Sequence, residues 1–570
     1  MRRFTVIALV SVLLLAIASI VTAQQTSQPV VRMGNWLEVG NDLFMHLIAT
    51  ADVRYKTVHN MDFEKRVRDR VSGRDPDNTA SQESEIDGSY AELRLGAEFR
   101  YQKSLYAQIL FEHQQIFDGN LIDDRSNTSN PGGTDVFGRP ASTENPGFHI
   151  ERYWIDYSFP GTPIRLLVGA DLWFTDQAGL VGDDDPRFAI FAKFGDLSFS
   201  AAAVIQNESQ RIGLQNDNDF IFYNFGAAYD WKPHRFQLDI TYFRDRFNGA
   251  DTSVFGARAG LGFTGQKTDS VLIMPSWSGR LGPVRALLQG NILVGTARGG
   301  TIGVPAGVPA RRDYDIFAGG VVAYAEADFG IVRPFVGLVY GSGDGDPTDD
   351  KLHGLTTLPQ REITLITATS FFGHMDTSNA FATRDYACPA RVQGVRTVAP
   401  AREPLAIGGN VLGGASPTGT ECAHTTGNPF NDRIGNAMHR GITTTYSNPG
   451  ALVIPVGVRV FPLKGHEITG WFVYRGFAKT ELLEIAFGPE LRAQGRNSIS
   501  KSQYYELGGF YQWTINPHFD IRLAGNIAIP GEGYKDLAKF ADCNPNVAGL
   551  QRCSGDDIAL IGEARFRARF

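Results

Sequence analysis

The chain has 570 residues, 54 basic against 61 acidic, with 43% hydrophobic and 20% charged side chains. That apolar share is too high and that charge too modest for a disordered chain, and the acidic balance argues against nucleic acid as a partner. With 63 glycines, 7 Trp, 19 Tyr and 38 Phe, and few long helical patterns, the composition points to turn-rich β-structure.

Residues 1–23 read as a secretory signal peptide. Arg2 and Arg3 precede an apolar run from Val6 to Val21, and Val21 and Ala23 supply small residues before a cleavage ahead of Gln24. The run is shorter than the ~20 residues a spanning helix needs, and no other segment is apolar enough, so a membrane would be crossed without helices. Without Arg2 and Arg3 the balance is 52 basic against 61 acidic, a net charge of −9. Residues 24–42 then form a periplasmic N-terminal segment, and 43–570 form the main body. Cys388, Cys422, Cys543 and Cys553 follow a secretory signal, which implies two disulfides in an oxidising compartment. Three connectivities are open, of which pairing within each loop is the most economical.

Alternation of apolar and polar residues marks the strands. Expected spans are 43–58, 88–101, 105–117, 149–159, 164–174, 187–194, 197–208, 220–231, 235–246, 269–279, 284–296, 314–328, 332–341, 447–461, 467–478, 502–515, 519–529 and 558–570. In 93–101 the odd positions are apolar and the even ones are Arg94, Gly96, Glu98 and Arg100; in 560–570 Leu560, Ala564, Phe566, Ala568 and Phe570 oppose Glu563, Arg565, Arg567 and Arg569. Short turns alternate with nine longer polar loops, the longest at 342–446. This predicts a closed antiparallel transmembrane β-barrel of about 18 strands, all-β, with tight periplasmic turns, long outer loops and both termini in the periplasm. The location is then the outer membrane of a Gram-negative cell, with its lipid as a partner. Tyr101, Trp154, Phe159, Trp173, Trp231 and Trp513 lie near strand ends, as interfacial girdles require, although Trp154 and Trp173 have inward parity.

The last strand, ending in Phe570, resembles the terminal signature of outer-membrane barrels, which implies recognition by a barrel-assembly machine. Three stretches resemble the alginate-export type of porin-like barrel: Ala91 to Arg100, Tyr153 to Tyr157 with Leu166 to Asp171, and Tyr340 to Lys351. Gly169-Ala170-Asp171 stands where such barrels often carry Gly-Arg-Gln, so one arginine expected of that pore lining is missing.

Parity assigns Arg94, Arg100, Arg152, Arg165, Arg475, Arg522, Arg565, Arg567 and Arg569 to the lumen, against Glu92, Glu98, Glu112, Asp156, Asp171, Asp239, Glu506, Asp520 and Glu563. Such rows either orient a polar solute or pair to stiffen the wall. The run Arg565, Arg567 and Arg569 either attracts anions or marks the rim. The 342–446 loop is either a constriction or an outer cap. Asp344, Asp346, Asp349 and Asp350 are a candidate calcium group with spacing unlike an EF-hand. Gly260 to Gly265 matches G-x-G-x-x-G without the βαβ unit that motif serves, and other enzyme motifs are missing. The expectation is a cofactor-free channel, not an enzyme, passing small polar solutes, anionic or saccharide. Two rivals are an export channel for an anionic polysaccharide and a sleeve around a multihaem cytochrome.

Overall fold

The computed structural model describes residues 36–59, 85–116, 148–171, 173–178, 181–183, 186–207, 220–245, 267–300, 312–345, 349–355, 450–481, 484, 488–538 and 558–569. In chain order the strands are β1 (Leu37–Gly40), β2 (Leu43–His59), β3 (Glu85–Tyr101), β4 (Leu105–Ile116), β5 (Phe148–Ser158), β6 (Ile164–Ala170), β7 (Trp173–Phe174), β8 (Gly182–Asp183), β9 (Pro186–Phe194), β10 (Leu197–Asn207) and β11 (Phe220–Trp231). There follow β12 (His234–Asp245), β13 (Lys267–Leu281), β14 (Val284–Gly300), β15 (Arg312–Ala327), β16 (Val332–Gly341), β17 (Lys351–Leu352), β18 (Ala451–Val460), β19 (His466–Gly476), β20 (Ser502–Asn516), β21 (Phe519–Pro530) and β22 (Ala559–Arg569). Two short helices, α1 (Gly488–Ala493) and α2 (Glu532–Ala538), precede β20 and follow β21.

Eighteen of these strands form one closed antiparallel ring. Every wall strand pairs with the next in sequence, β6 passing to β9 and β16 to β18, and β22 returns to pair with β2 from Thr50↔Arg569 to His59↔Leu560. The expected strand order is therefore the observed one. Closure leaves no lateral strand edge, which is what a sheet in hydrocarbon requires.

Strand parity separates two faces. Leu95, Ile155, Phe225, Leu288, Phe317, Leu507, Leu523 and Phe566 point outward and are exposed, Phe225 at 56% and Phe317 at 62%. Each such side chain gains roughly 1.5–3 kcal/mol when removed from water. A ring of them all round a water-soluble molecule would aggregate, so the belt matches lipid. Tyr101, Phe159, Trp231, Phe329 and Trp513 are exposed at the short-turn end, as a girdle there requires. The turns are tight where glycine permits it: Gly195 and Gly282 sit at φ 62° and 61°.

Two departures from the expected layout bear on the lumen. The strand expected over 164–174 stops at Ala170, after Gly169 at φ 131°, where a Cβ would stand 2.6 Å from Trp154 Cα. Trp173 and Phe174 instead pair with Asp183 and Gly182 as a separate ribbon. Trp173 is thus buried, not part of a girdle. The second departure is at β15, which begins at Arg312 although β16 ends opposite Gly320. The start of the long loop covers the overhang. β17 adds in parallel at Asp315 and Ile316, Ser342 N–H donates to Gly319 O at 2.8 Å, and His353 Nδ1 lies 2.7 Å from Phe317 O. Backbone groups of the overhang are thereby satisfied.

At the long-loop end Arg496 makes a bidentate pair with Asp536 of α2, whose carboxylate also accepts the Ser500 N–H at 3.0 Å. Hydrogen bonding to that carboxylate holds the Arg496 guanidinium above its ordinary pKa.

Candidate functional site in the barrel lumen

Much of the inner face is filled by apolar side chains. Over β10–β15, Val204, Phe222, Phe243, Leu272, Met274, Leu293, Ile316 and Ala318 form an apolar cluster closed by Trp173, Val181 and Leu355. A second cluster, of Leu287, Val322, Tyr324, Phe335, Val339, Val453, Trp471, Val473 and Phe510, is capped by Ala178. The β7–β8 hairpin therefore lies inside the barrel, although the segment reads as an outer loop. The physical reason is its apolar residues: Trp173 meets Phe222 at 5.4 Å between centroids, and Ala178 and Val181 are fully buried.

Polar groups on the wall hold this hairpin. Gln289 accepts the Ala178 N–H at 3.0 Å through Oε1 and donates through Nε2 to Asp176 Oδ2 at 2.7 Å. Asp176 Oδ1 accepts the Val181 N–H at 2.8 Å, and Gln237 Nε2 donates to Thr175 O at 2.8 Å and Asp239 Oδ2 at 2.7 Å. Asp239 is thus a buried member of the hairpin's anchor.

Beside the hairpin is a cavity of about 870 Å³ over β6 and β9–β12. Its ionisable lining is Arg165, Arg187, Lys193 and Arg235 against Asp176, with Ser158, Ser198, Ser200, Asn224 and Gln237 among its hydroxyl and amide groups. Arg165 pairs with Asp156 at 3.2 Å and Arg235 with Asp230 at 2.8 Å. Asp171 is shared more loosely, 3.8 Å from Arg152 and 3.9 Å from Arg187, and the Nε of each arginine is buried without a hydrogen-bond partner. Arg187 also lies over the Trp173 ring at 5.3 Å.

The remaining charges are largely occupied with each other. Arg94 donates to Glu112 at 2.5 Å. Glu326 accepts from Arg285 at 3.0 Å and Arg459 at 3.3 Å, and Arg459 also holds Glu467 at 2.8 Å. Arg565 grips Asp52, with Nε at 2.9 Å, and Asp520 accepts from Arg567 at 3.0 Å and from Arg569. Arg100 lies 4.9 Å from the rings of both Trp36 and Phe44, and Arg522 lies 4.0 Å above Phe510. Arg475 donates to Gln503 at 2.7 Å, and the fully buried Glu506 accepts from Trp471 Nε1 at 3.3 Å. Glu563 sits opposite Ala524 in the β21–β22 register.

Arg187, Arg235, Arg285, Arg459, Asp52 and Glu326 are additions to the charges singled out in sequence. The same alternation marks them: Arg187 alternates with Phe188 and Ile190 as Arg94 does with Leu93 and Leu95. In the acidic turn Asp344 is buried, Asp349 Oδ1 accepts the Lys351 N–H at 2.8 Å, and Asp350 O accepts the Asp315 N–H at 2.9 Å. Lys479 Nζ stands 3.0 Å from where a Gly345 Cβ would be, so a cation already adjoins the turn. Among the described residues no group of three or more His, Cys, Asp or Glu is arranged to hold a metal. Asp346, the four cysteines, Phe570 and the signal segment lie outside the described residues.

No protein-family model matches the chain, so the likeness to alginate-export barrels has no family model behind it, and no curated protein matches either. Among solved structures, a BenF-like porin from Pseudomonas fluorescens Pf-5 is 11% identical with a TM-score of 0.44, covering 94% of this chain and 99% of that one. OccAB3 of Acinetobacter baumannii is 10% identical with a TM-score of 0.43, covering 92% and 99%. An anion-selective porin from Comamonas acidovorans is 10% identical with a TM-score of 0.36, covering 93% and 100%. Overlap this loose says nothing of solute or partner.

Proposed function

We propose that the chain is an outer-membrane channel for passive passage of small polar solutes, with a preference for anions. The lipid-compatible belt and closed ring support the membrane location. The observation that carries the preference is the cavity beside the infolded hairpin, where four cationic side chains face one carboxylate. Asp156, Asp171 and Asp230 stand behind the arginines as their partners and are not among the residues lining it. A channel wall of low dielectric focuses such a field on the solute path. The charges on the wall are fixed, and passage is read as running down a gradient.

A polysaccharide exporter needs an uninterrupted bore, and a cytochrome sleeve needs a wide one. The hairpin spread over the β10–β15 wall favours neither.

Reversal potential in a planar bilayer under a potassium chloride gradient tests this reading. The intact barrel should favour chloride, and Arg187→Gln combined with Arg165→Gln should move the potential towards cation preference. A cation-selective or silent barrel would overturn it.

A further inference from the structure

The inner wall of β2–β5 carries a row of polar and aromatic side chains that lies outside the anion cavity and meets it only at Arg187. Six residues lie side by side in register from β2 to β9: His46, Glu98, Gln108, Trp154, Gly169 and Arg187. Trp154 Nε1 donates to Gln108 Oε1 at 2.9 Å, Gln108 Nε2 donates to Glu98 Oε1 at 3.0 Å, and Glu98 Oε2 lies 3.4 Å from His46 Nδ1. The indole plane is therefore pinned by its own N–H. Glycine at 169 puts no side chain between Trp154 and Arg187. The next row towards the short turns runs Phe44, Arg100, Tyr106 and Asp156, and Trp36 stacks on Arg100 from the N-terminal side.

Two properties mark these rows. The carboxylates that hold arginines along the seam and across β14–β18 are closed off, Asp52, Glu326 and Asp520 each being only 2% exposed. Here Tyr106 is 37% exposed, and the side chains of Glu98 and His46 are 32% and 21% exposed. The chemistry is also mixed at close quarters. Glu98 and Asp156 offer acceptors, Arg100 offers donors, Gln108 and Tyr106 offer both, and Trp154 and Tyr106 offer aromatic surface. A simple anion would meet Glu98 and Asp156, and a simple cation would meet Arg100. A neutral ring with an apolar C–H face and a rim of hydroxyls answers all of them: the face lies on an aromatic plane and each hydroxyl both donates and accepts.

We infer that the inner wall of β2–β5 is a binding site for a neutral pyranose ring, seated against Trp154 and Tyr106 with its hydroxyls on Gln108, Glu98 and Asp156. This goes beyond the anion-channel reading and does not depend on it.

The test is saturation-transfer NMR on the full-length barrel in detergent, titrated with methyl glucoside and, separately, with sorbitol. Sorbitol carries comparable hydroxyls but no ring. The glucoside should give a saturable signal strongest on its ring C–H protons, and sorbitol should bind about tenfold more weakly. Trp154→Leu should weaken glucoside binding about tenfold. Gln108→Leu leaves the indole but removes the bond that pins it, and serves if the tryptophan variant fails to form a barrel. Equal binding of sorbitol and glucoside, no saturable signal, or binding unchanged in the variants would each overturn the inference. Since the readout is binding, a silent channel would defeat the conduction reading and leave this test intact.

Discussion

Replacing residues 175–182 by a short Gly-Ser link should raise single-channel conductance about two- to threefold, because a pore conducts according to its narrowest cross-section. The segment removed carries Ala178 and Val181, both fully buried against the inner wall, together with the Asp176 anchor. The wall itself is untouched, since β6 and β9 pair directly from Ile164↔Ala192 to Ala170↔Pro186. Gln289→Leu is the gentler form of the same experiment. It removes the acceptor for the Ala178 N–H and one donor to Asp176 while the Gln237 bond to Thr175 remains. A partly freed hairpin should give a flickering current at unchanged maximum conductance, resolved in single-channel recordings. If excision leaves conductance unchanged, the hairpin lies off the ion path and the cavity beside it does not set selectivity.

That hairpin also shows where sequence reasoning runs out. Strand parity is a local property, decided by each residue's neighbours two positions away, so the eighteen wall strands were legible in order. The same rule points Trp154 and Trp173 inward, and both lie inside. What parity cannot supply is the partner of a loop. The segment after Phe174 reads as polar connection because Thr175, Asp176 and Gln177 stand together. It turns inward because residues far along the chain await it: Gln289 is 113 positions from Asp176, and Phe222 presents a ring to Trp173. Charge pairing was hidden for the same reason. Arg565, Arg567 and Arg569 form an unbroken cationic run along one strand. Asp52 is more than five hundred positions away, on the other side of the closing seam, and Asp520 is across the β21–β22 pair. The apolar filling of the inner face, from Val204 to Phe510, also contradicts the simple rule that such a lumen is polar throughout.

Those seam pairs lead to the largest expected loss of stability. Asp52 and Asp520 are almost wholly buried, and between them they hold three arginines of the last strand. Arg565 is itself mostly buried, so Asp52→Ala strands a guanidinium at the seam that closes the barrel and should cost about 3–5 kcal/mol. Asp520→Ala should cost less per arginine lost, because Arg569 is nearly half exposed and water screens it. Heat-dependent electrophoretic mobility in detergent, which separates closed from opened barrels, gives the midpoint for each variant. Both midpoints should fall, Asp52→Ala further than Asp520→Ala if the seam is the weak point. Arg569→Gln should shift the midpoint least. None of the three should move the reversal potential as far as Arg187→Gln with Arg165→Gln, because Arg165 and Arg187 line the cavity while their carboxylates do not, and Arg187 shares Asp171 only at 3.9 Å. A variant of the Arg565–Arg569 run that abolishes anion preference without lowering the midpoint would reverse this assignment, making the run the selectivity element and the cavity arginines the scaffold.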